Sequence, residues 1–437
     1  MSGIHRSASV SSASAVVGAN LIMTDRRYYD DLETRDPVER ELALMAALPA
    51  HVAHAKQNSS AFARILESVD AAHVVNRAAL ARLPVTRKSD LMALQKSNPP
   101  FGGLTAVPYQ RLGRVFSSPG PIYDPQGRHG DYFRFGRALH AAGFRPGDLV
   151  HNTFSYHFTP AGFMMDMAAQ AVGCTVFPAG VGQTEMQVAA IADLKPRGYT
   201  GTPSFLKIIV EKAAELGVDV SSLQVALVSG EALLPAVRDQ LVARGMNVRQ
   251  CYGTADLGLI AYESEPLAGL VVDEAVILEI VRPGTGDPVP DGEVGEVVVT
   301  LLSTEYPLIR FATGDMSAVL PGISPCGRTN QRVKGWMGRA DQTTKVKGMF
   351  VHPSQVDQIV KKHPAIRRAR LVVDHDGGQN DRMTLCCETG GLPAAGLSEA
   401  IAASIRDITK LRGEVDFRAA GTLPNDGKVI EDQRKYD

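Results

Sequence analysis

The feature that most restricts the fold of this chain is a regular alternation of short apolar runs and amphipathic segments between about residue 110 and residue 230. The apolar runs predict strands at residues 148–153, 175–179, 198–201 and 225–229. The amphipathic segments predict helices at residues 162–172, 184–194 and 204–216. Strands that alternate with helices in this way form a parallel sheet with helices on both faces. We therefore predict a large, doubly wound α/β domain.

The segments before and after this alternation have different patterns. Residues 37–66 predict a helix, and LARLPVTRKSDL (80–91) predicts a loop that leads into a second helix. Residues 270–320 combine β-rich runs with the turn cluster PGTGDPVPDG (283–292), which predicts a small β subdomain.

The pattern changes again near residue 338. Strand and helix signals then follow in the order βαββαβ, with a first strand at 349–352, and this order predicts a ferredoxin-like α+β C-terminal domain. We divide the chain into a disordered tail (1–22), an N-terminal domain (23–337) and a C-terminal domain (338–437).

Composition excludes several classes of function. The chain has 437 residues with 46 Lys+Arg against 47 Asp+Glu, and this balance argues against a protein that binds nucleic acid through a basic face. It has no run of about 18 apolar residues, so we expect no transmembrane helix and no membrane partner. Its five cysteines are an odd number and widely scattered, which favours a reducing compartment. We therefore expect a cytoplasmic protein.

Five polar stretches occur in a fixed order along the chain. They are SGEAL (229–233), YGTAD (252–256), RFATGD (310–315), GRADQTTKVKG (338–348) and LPNDGK (423–428). The first three follow apolar runs, which places them at strand ends, and open α/β sheets bind ligands at the carboxyl ends of their strands. Carboxylates in that position suit ribose hydroxyls or Mg²⁺.

These stretches together resemble the adenylate-forming, or acyl-CoA synthetase, superfamily and most closely its phenylacetate-CoA ligase family. LPVTRKSDL (83–91), PVPDGEVGEVVVT (288–300) and PCGRT (325–329) resemble the same family. The resemblance implies an ATP-dependent ligase that activates an aryl or arylacetic acid as an acyl-adenylate and transfers it to coenzyme A. ATP, Mg²⁺ and coenzyme A are the implied cofactors, and the C-terminal domain is implied to be a mobile lid.

The resemblance also implies a set of residues that bind the nucleotide. Asp315 is expected to bind the ribose, Arg339 to make a second ribose or phosphate contact, and Asp256 to hold Mg²⁺ as a catalytic residue. Ala255 stands where the family has a phosphate-binding Thr, and Thr254 lies one position early. The remaining expected contacts are Ser229, Gly230, Glu231, Tyr252, Gly253 and Thr254.

Two lysines and a hinge are implied for the mobile domain. Lys428 is expected to face the site during adenylation, and Lys345 during thioester formation, with Asp341 as the hinge between the two states. An ammonium group suits this chemistry because negative charge builds on phosphate oxygens in the transition state.

The phosphate loop departs from the family pattern. Ser117 and Ser118 are kept as candidate phosphate contacts, but Pro119, Gly120 and Pro121 follow in place of a Thr-Thr-Gly-Lys core. Proline has no N–H to donate, so this loop offers fewer donors to a triphosphate. Two alternatives therefore stay open: a non-catalytic or slow protein that binds nucleotide or acyl-adenylate, and an adenylating enzyme that loads a carrier-protein thiol.

The segment NTFSYHFTPAGFM (152–164) lies where the family binds its carboxylic acid. Phe154, Tyr156 and Phe158 are expected to line that pocket, with Gly162 and Gly201 leaving room for the acid. Alternating aromatic residues are also typical of a strand core, so that interpretation stays open.

A structural zinc ion is not expected. Some relatives hold one with four ligands, and here only Cys251 and Cys326 stand at matching positions, which is too few for a closed site. The sequence leaves a homodimer open.

Overall fold

The computed structural model describes residues 27–437 apart from 120, 283–284, 341–343, 352, 376–379, 425–428 and 435–437. The predicted tail at 1–22, the predicted hinge residue Asp341 and the predicted catalytic residue Lys428 lie outside the described residues.

The helices occupy both flanks of the main sheet and one side of the C-terminal domain. They are α1 (Pro37–Asn58), α2 (Ser60–Ile65), α3 (Arg77–Ala81), α4 (Leu91–Ser97), α5 (Gly136–Ala141), α6 (Ala161–Val172), α7 (Thr184–Leu194), α8 (Pro203–Leu216), α9 (Pro235–Val242), α10 (Pro353–Lys362) and α11 (Leu397–Thr409). Across the described part of the chain, every helix is too short or too polar to cross a bilayer.

The strands of the N-terminal region come first along the chain. They are β1 (Thr86–Arg87), β2 (Arg114–Ser118), β3 (Ile122–Gln126), β4 (Leu149–Asn152), β5 (Thr175–Phe177), β6 (Gly198–Gly201), β7 (Val225–Val228), β8 (Asn247–Thr254), β9 (Gly258–Glu263), β10 (Leu270–Val272), β11 (Val276–Val281), β12 (Gly295–Leu301), β13 (Phe311–Ser317), β14 (Val319–Leu320) and β15 (Arg332–Val333). The C-terminal strands are β16 (Thr344–Val346), β17 (Met349–Val351), β18 (Ile366–His375), β19 (Asp381–Thr389), β20 (Glu414–Arg418) and β21 (Ile430–Asp432).

A nine-stranded sheet organises the N-terminal region, in the order β14-β15-β10-β9-β8-β7-β6-β4-β5. The strands β5, β4, β6, β7 and β8 are parallel, as the alternation of strand and helix signals predicts, and helices connect them. All four residues of β7 are buried, as expected for a strand covered on both faces. The predicted α/β fold class is confirmed. The carboxyl ends of β7 and β8 meet at one edge, which positions the candidate site.

A second sheet, in the order β1-β13-β12-β11, forms the predicted β subdomain. Its edge strand β1 lies within the segment that the sequence predicts as a loop, and it pairs parallel with β13 through Thr86 and Phe311. A strand of two residues is too short to give a periodic pattern, which explains why the sequence did not predict it. This pairing brings the residues after β1 to the edge where the site lies.

The C-terminal domain differs in one strand from the predicted βαββαβ arrangement. The predicted first strand, β17, pairs with β16 in a separate hairpin, and the four-stranded sheet has the order β20-β19-β18-β21. Lys347 and Gly348 form the turn of that hairpin with positive φ angles of 47° and 82°. Such a turn folds β17 directly back on β16. The position beside β18 is therefore taken by β21, which runs parallel to it.

A buried arginine joins the β subdomain to the segment before β1. Arg310 is 2% exposed, and its Nε donates to Glu279 Oε2 at 3.0 Å. Its other nitrogens donate to the carbonyl oxygens of Ala81, Leu83 and Gly286 at 2.6–2.7 Å. Burial raises the pKa of Glu279, and the Arg310 charge opposes that shift. The Arg310 charge thus favours the ionised form of Glu279.

We predict that Arg310→Met lowers the free energy of unfolding by about 3–5 kcal/mol, because it leaves a buried carboxylate and three carbonyl groups unpaired. Urea unfolding at neutral pH measures the loss. Arg282→Met is the matched control, since it removes an exposed ion pair with Glu293 and should cost less than about 1 kcal/mol. Equal losses in the two variants would contradict this assignment.

Candidate functional site

The turn after β7 forms one wall of the candidate site. Ser229 Oγ donates to the Cys251 carbonyl at 2.9 Å, which ties the turn to the neighbouring strand β8. Gly230 has a φ of +87°, a conformation that favours glycine. Glu231 Oε1 accepts from the Ser204 N–H at 2.8 Å, at the start of α8. The three residues of this turn are therefore fixed at the carboxyl edge of the sheet.

The end of β8 forms the adjacent wall. Gly253 pairs with Leu259 across the sheet, and Thr254 Oγ1 accepts from the Leu257 N–H at 3.2 Å. The Thr254 hydroxyl is thus used in the turn that presents Asp256. Burial, followed by the charge of a neighbouring carboxylate, holds the pKa of Tyr252 well above its ordinary value.

That carboxylate belongs to Asp315 on β13, and it accepts hydrogen bonds from three side chains. Tyr252 Oη donates to Asp315 Oδ2 at 2.8 Å. Trp336 Nε1 and Arg339 Nη1 donate to Asp315 Oδ1 at 3.0 and 2.9 Å. The approach of Arg339 requires a glycine at 314, because a Cβ there would overlap the guanidinium group. Asp315 therefore joins β8, β13 and the segment that leads into the C-terminal domain.

Lys345 of the C-terminal domain lies over the first wall. Its Nζ is 3.8 Å from the position that a Cβ on Gly230 would take, and Phe154 Cε1 is equally close to that position. Burial lowers the pKa of Lys345, while the carboxylates of Glu231 and Asp315 oppose the shift. The predicted nucleotide wall, the predicted acid pocket and a predicted catalytic lysine thus converge on one point.

Asp256 lies in the turn after β8, with a side chain that has no solvent exposure. Lys88 Nζ forms an ion pair with Asp256 Oδ2, and Lys88 follows directly after β1. Burial lowers the pKa of Lys88, but the charges of Asp256 and Asp124 together raise it by more, so the pKa is above its ordinary value. Lys88 is therefore a protonated cation inside the candidate site.

Asp124 of β3 stands beside this ion pair. Burial raises the pKa of Asp124 well above its ordinary value, and the Asp256 charge adds to the shift, while Lys88 and the Ser118 hydroxyl oppose it. Two carboxylates thus share one lysine in a buried space.

The remodelled phosphate loop is the tip of the β2–β3 hairpin. Ser117 and Ser118 are the last residues of β2, and the Ser117 N–H donates to the Phe158 carbonyl at 2.9 Å. Ser118 is buried, with its hydroxyl 3.4 Å from the Ile122 carbonyl. The Ser117 N–H is therefore already bonded within the protein. Pro119 and Pro121 have no N–H, so the loop has still fewer donors for phosphate oxygens.

The three aromatic residues predicted for the acid pocket have different surroundings. Phe154 is buried at the first wall. The Tyr156 hydroxyl accepts from Asn152 Nδ2 at 2.7 Å and donates to Asp166 Oδ2 at 3.0 Å. Phe158 is 82% exposed and has a φ of +60°, because its backbone turns outward to pair with Ser117. In this structure Phe158 therefore does not line an enclosed pocket.

The two small residues predicted for the pocket are explained by packing. Asn152 Nδ2 donates to the Gly162 carbonyl at 2.8 Å, at the start of α6. A Cβ at Gly201 would overlap Thr153 Oγ1 and the Tyr199 hydroxyl. Both glycines keep β4, β6 and α6 close together behind Phe154.

The two cysteines considered for zinc have different neighbours. Cys251 Sγ lies against the Val228 carbonyl, and Cys326 Sγ lies 3.2 Å from Ser264 Oγ. Although burial raises it, hydrogen bonds from Ser264, Ser324 and Arg328 bring the pKa of Cys326 down to about 7. Within the described ranges, no three His, Cys, Asp or Glu side chains form a group that could hold a metal ion.

Sequence reasoning missed three residues of this site. Lys88 lies in LPVTRKSDL (83–91), a stretch that resembles the family, but the resemblance implies no role for it. Trp336 is the only tryptophan in the chain and lies in the stretch between the two domains. Asp124 follows the altered loop. Each of them contacts or faces a predicted residue more than 20 positions away, so no local pattern identifies them.

We predict that the Lys345 ammonium loses its proton below the ordinary lysine value of 10.5, because the group is buried. Carbon-13 NMR of reductively methylated protein measures the midpoint, and Lys345→Met assigns the resonance. Glu231→Gln should move the midpoint lower still, since it removes a charge that favours the ammonium. A midpoint equal to that of exposed lysines, unchanged by Glu231→Gln, would contradict the placement.

One protein family matches part of this chain, and solved structures resemble it over most of its length. Residues 128–301 match the AMP-binding enzyme family. Among solved structures, 2-hydroxyisobutyryl-CoA ligase in complex with 2-HIB-AMP and CoA in the thioesterification state gives a TM-score of 0.82. It is 24% identical, and the match covers 96% of this chain and 95% of that chain. The same ligase in the postadenylation state gives a TM-score of 0.72, with 95% and 94% covered.

Relatives that match by sequence identify the family more specifically than the solved structures do. The phenylacetate-coenzyme A ligase of Thermus thermophilus is 33% identical over 370 residues, which are 80% of this chain and 82% of that protein. The phenylacetate-coenzyme A ligase of Escherichia coli is 32% identical over 299 residues, which are 65% of this chain and 67% of that protein. With this identity and coverage, the chain belongs to the phenylacetate-coenzyme A ligase family.

Proposed function

We propose that this protein joins an aryl or arylacetic acid to coenzyme A in two half-reactions. The carboxylate first attacks the α-phosphorus of ATP, which forms the acyl-adenylate and releases pyrophosphate. The thiolate of coenzyme A then attacks the acyl carbon and releases AMP. The observation that carries this proposal is the convergence of the Ser229–Glu231 turn, Tyr252, Asp315 and Lys345 at the carboxyl ends of β7 and β8.

The nucleotide would lie along this edge. The adenine would rest against Ser229, Gly230, Glu231 and Tyr252, and Asp315 would accept hydrogen bonds from the ribose hydroxyls. Arg339 already donates to Asp315, so it would orient that carboxylate and make the second ribose or phosphate contact. These residues would together surround an adenylate bound at this edge.

The placement of Lys345 supports a role in the second half-reaction. Its ammonium faces Glu231 and Asp315, so it would lie near the phosphate of an adenylate bound at this edge and stabilise AMP as it leaves. The higher TM-score against the thioesterification state than against the postadenylation state is consistent with this domain arrangement. We propose that domain 338–437 rotates about Asp341, and that Lys428 faces the site during adenylation.

Mg²⁺ fits the residues at Asp256. Oδ1 of Asp256 is buried and has no hydrogen-bond partner among the described residues, as expected for an oxygen that binds a cation. Bound Mg²⁺ would neutralise charge on the ATP phosphates. Lys88, on the other oxygen of Asp256, orients that carboxylate.

The acid would bind beside Phe154, whose ring edge lies next to Gly230 and the Lys345 ammonium. Tyr156 is tied to Asn152 and Asp166, so it would form a rigid part of the wall, with Gly162 and Gly201 behind it. An apolar aromatic surface beside the adenylate favours an aryl or arylacetic acid. We also propose the cytoplasm as the compartment, where ATP and coenzyme A are available and reduced cysteines persist.

A second candidate is a non-catalytic protein that binds acyl-adenylate. The hydrogen bond from the Ser117 N–H to Phe158 and the two prolines of the loop favour it, because both reduce the donors for pyrophosphate.

We predict ATP–pyrophosphate exchange that depends on an aryl or arylacetic acid. A panel of aryl, arylacetic and short aliphatic acids, with the radioactive exchange as readout, identifies the substrate class. Calorimetry with AMP on the same protein separates the candidates. Binding of AMP with no exchange for any acid would favour the non-catalytic protein.

We predict opposite effects for the two lysines. Lys428→Ala should slow adenylation by about 10²-fold or more and spare thioester formation from supplied acyl-adenylate. Lys345→Ala should do the reverse, because its ammonium faces the site in the arrangement seen here. Single-turnover assays of each half-reaction measure both. Equal losses in the two steps for either variant would contradict the division of roles.

The thiol acceptor is tested separately, by supplying a phosphopantetheinyl carrier protein in place of coenzyme A.

A further inference from the structure

The β2–β3 hairpin carries an acid that the family resemblance does not assign. Asp124 has no exposed surface, and its carboxylate adjoins that of Asp256. It pairs with Phe116 across the hairpin, so its side chain lies on the buried face, whereas its neighbour Tyr123 is exposed.

A side-chain clamp fixes the hairpin in this position. Gln95 of α4 donates through Nε2 to the Tyr123 carbonyl and accepts the Tyr123 N–H at Oε1, both at 2.8 Å. The helix α4 begins three residues after Lys88. The clamp therefore holds Asp124 in register with the Lys88–Asp256 ion pair.

Several oxygen atoms in this cluster lack a partner. Both oxygens of Asp124, Oδ1 of Asp256 and the hydroxyl of Tyr306 are buried without a hydrogen bond of normal geometry among the described residues. Tyr306 is fully buried, and the charges of both carboxylates reach it. Unpaired buried oxygens cost stability, so their presence together in one place indicates a missing ligand.

The charges indicate the kind of ligand. Two carboxylates face one ammonium group, Lys88, which contacts only Oδ2 of Asp256 within this cluster. A divalent cation would satisfy the free carboxylate oxygens. Mg²⁺ is commonly held by one or two carboxylates together with the phosphate oxygens of its nucleotide, so a larger set of protein ligands is not needed.

We propose that Asp124 and Asp256 together hold the divalent cation that accompanies ATP. This inference rests on the proposed function and deepens it. The prolines of the altered loop remove backbone donors for the phosphates, and a second carboxylate on the same hairpin strengthens the grip on the metal that binds them.

The test compares the affinity for α,β-methylene-ATP with Mn²⁺ and with EDTA, by calorimetry. In the native protein, Mn²⁺ should tighten binding of the nucleotide. In Asp124→Asn that gain should fall by about tenfold or more, while the affinity for the metal-free nucleotide stays equal or rises. The metal-free stability of this variant should also stay equal or rise, because one of two adjacent buried acids becomes neutral.

Asp131→Asn is the matched control. Burial raises the pKa of Asp131 to about 7, but its Oδ2 accepts from the Gly136 N–H and it has no contact with Asp256. Asp131→Asn should therefore leave the effect of Mn²⁺ unchanged. If Asp124→Asn does not fold, Asp124→Ser provides the same comparison.

If Mn²⁺ tightens nucleotide binding in Asp124→Asn as much as in the native protein, the proposal is overturned. A proton shared between Asp124 and Asp256 would then explain why the two buried acids lie side by side. A native protein whose nucleotide affinity does not respond to Mn²⁺ would overturn it as well. Acid-dependent exchange, measured separately, reports on the proposed function, so the two can fail independently.

Discussion

The candidate site depends on the carboxylate of Asp315. One of its oxygens accepts from Tyr252, at the end of the parallel sheet, and the other accepts from Trp336 and Arg339, in the segment that leads to the C-terminal domain. A buried carboxylate needs such donors because unpaired buried polar atoms cost stability. The same hydrogen bonds that stabilise it also join the sheet, the β subdomain and the segment that leads to the C-terminal domain at one point.

A second buried group of charges lies near the end of β8 and includes Lys88, Asp256 and Asp124. Lys88 and Asp256 come from segments 168 positions apart. Lys88 follows β1, which pairs in parallel with β13, and Asp256 follows β8 of the other sheet. Asp124 comes from the hairpin that replaces the usual phosphate loop. The hairpin that carries the altered loop therefore also brings a buried acid beside Asp256.

The sequence predicted well those features that local patterns determine. The strands β4 to β7 and the helices between them gave clear periodic signals, and the SGE turn could be placed at a strand end without a structure. RFATGD was predicted to follow a strand, but apart from Arg310 it lies within β13 itself, because the apolar run at 306–309 before it is not a strand. Lys88, Asp124 and Trp336 were missed because their importance comes from pairing across long sequence separations. The strand β17 was predicted as a strand but assigned to the wrong sheet, because periodicity does not identify a strand's partner. Phe158 is exposed because the backbone turns at this residue, and the alternation of aromatic residues in the sequence does not indicate such a turn.

A crystal structure of the protein with AMP tests the central claim most directly. We predict adenine against the Ser229–Glu231 turn and Tyr252, ribose hydroxyls within hydrogen-bond distance of Asp315, and the phosphate on the side of Lys345. AMP bound elsewhere on the molecule, or bound here with its ribose directed away from Asp315, would contradict the account.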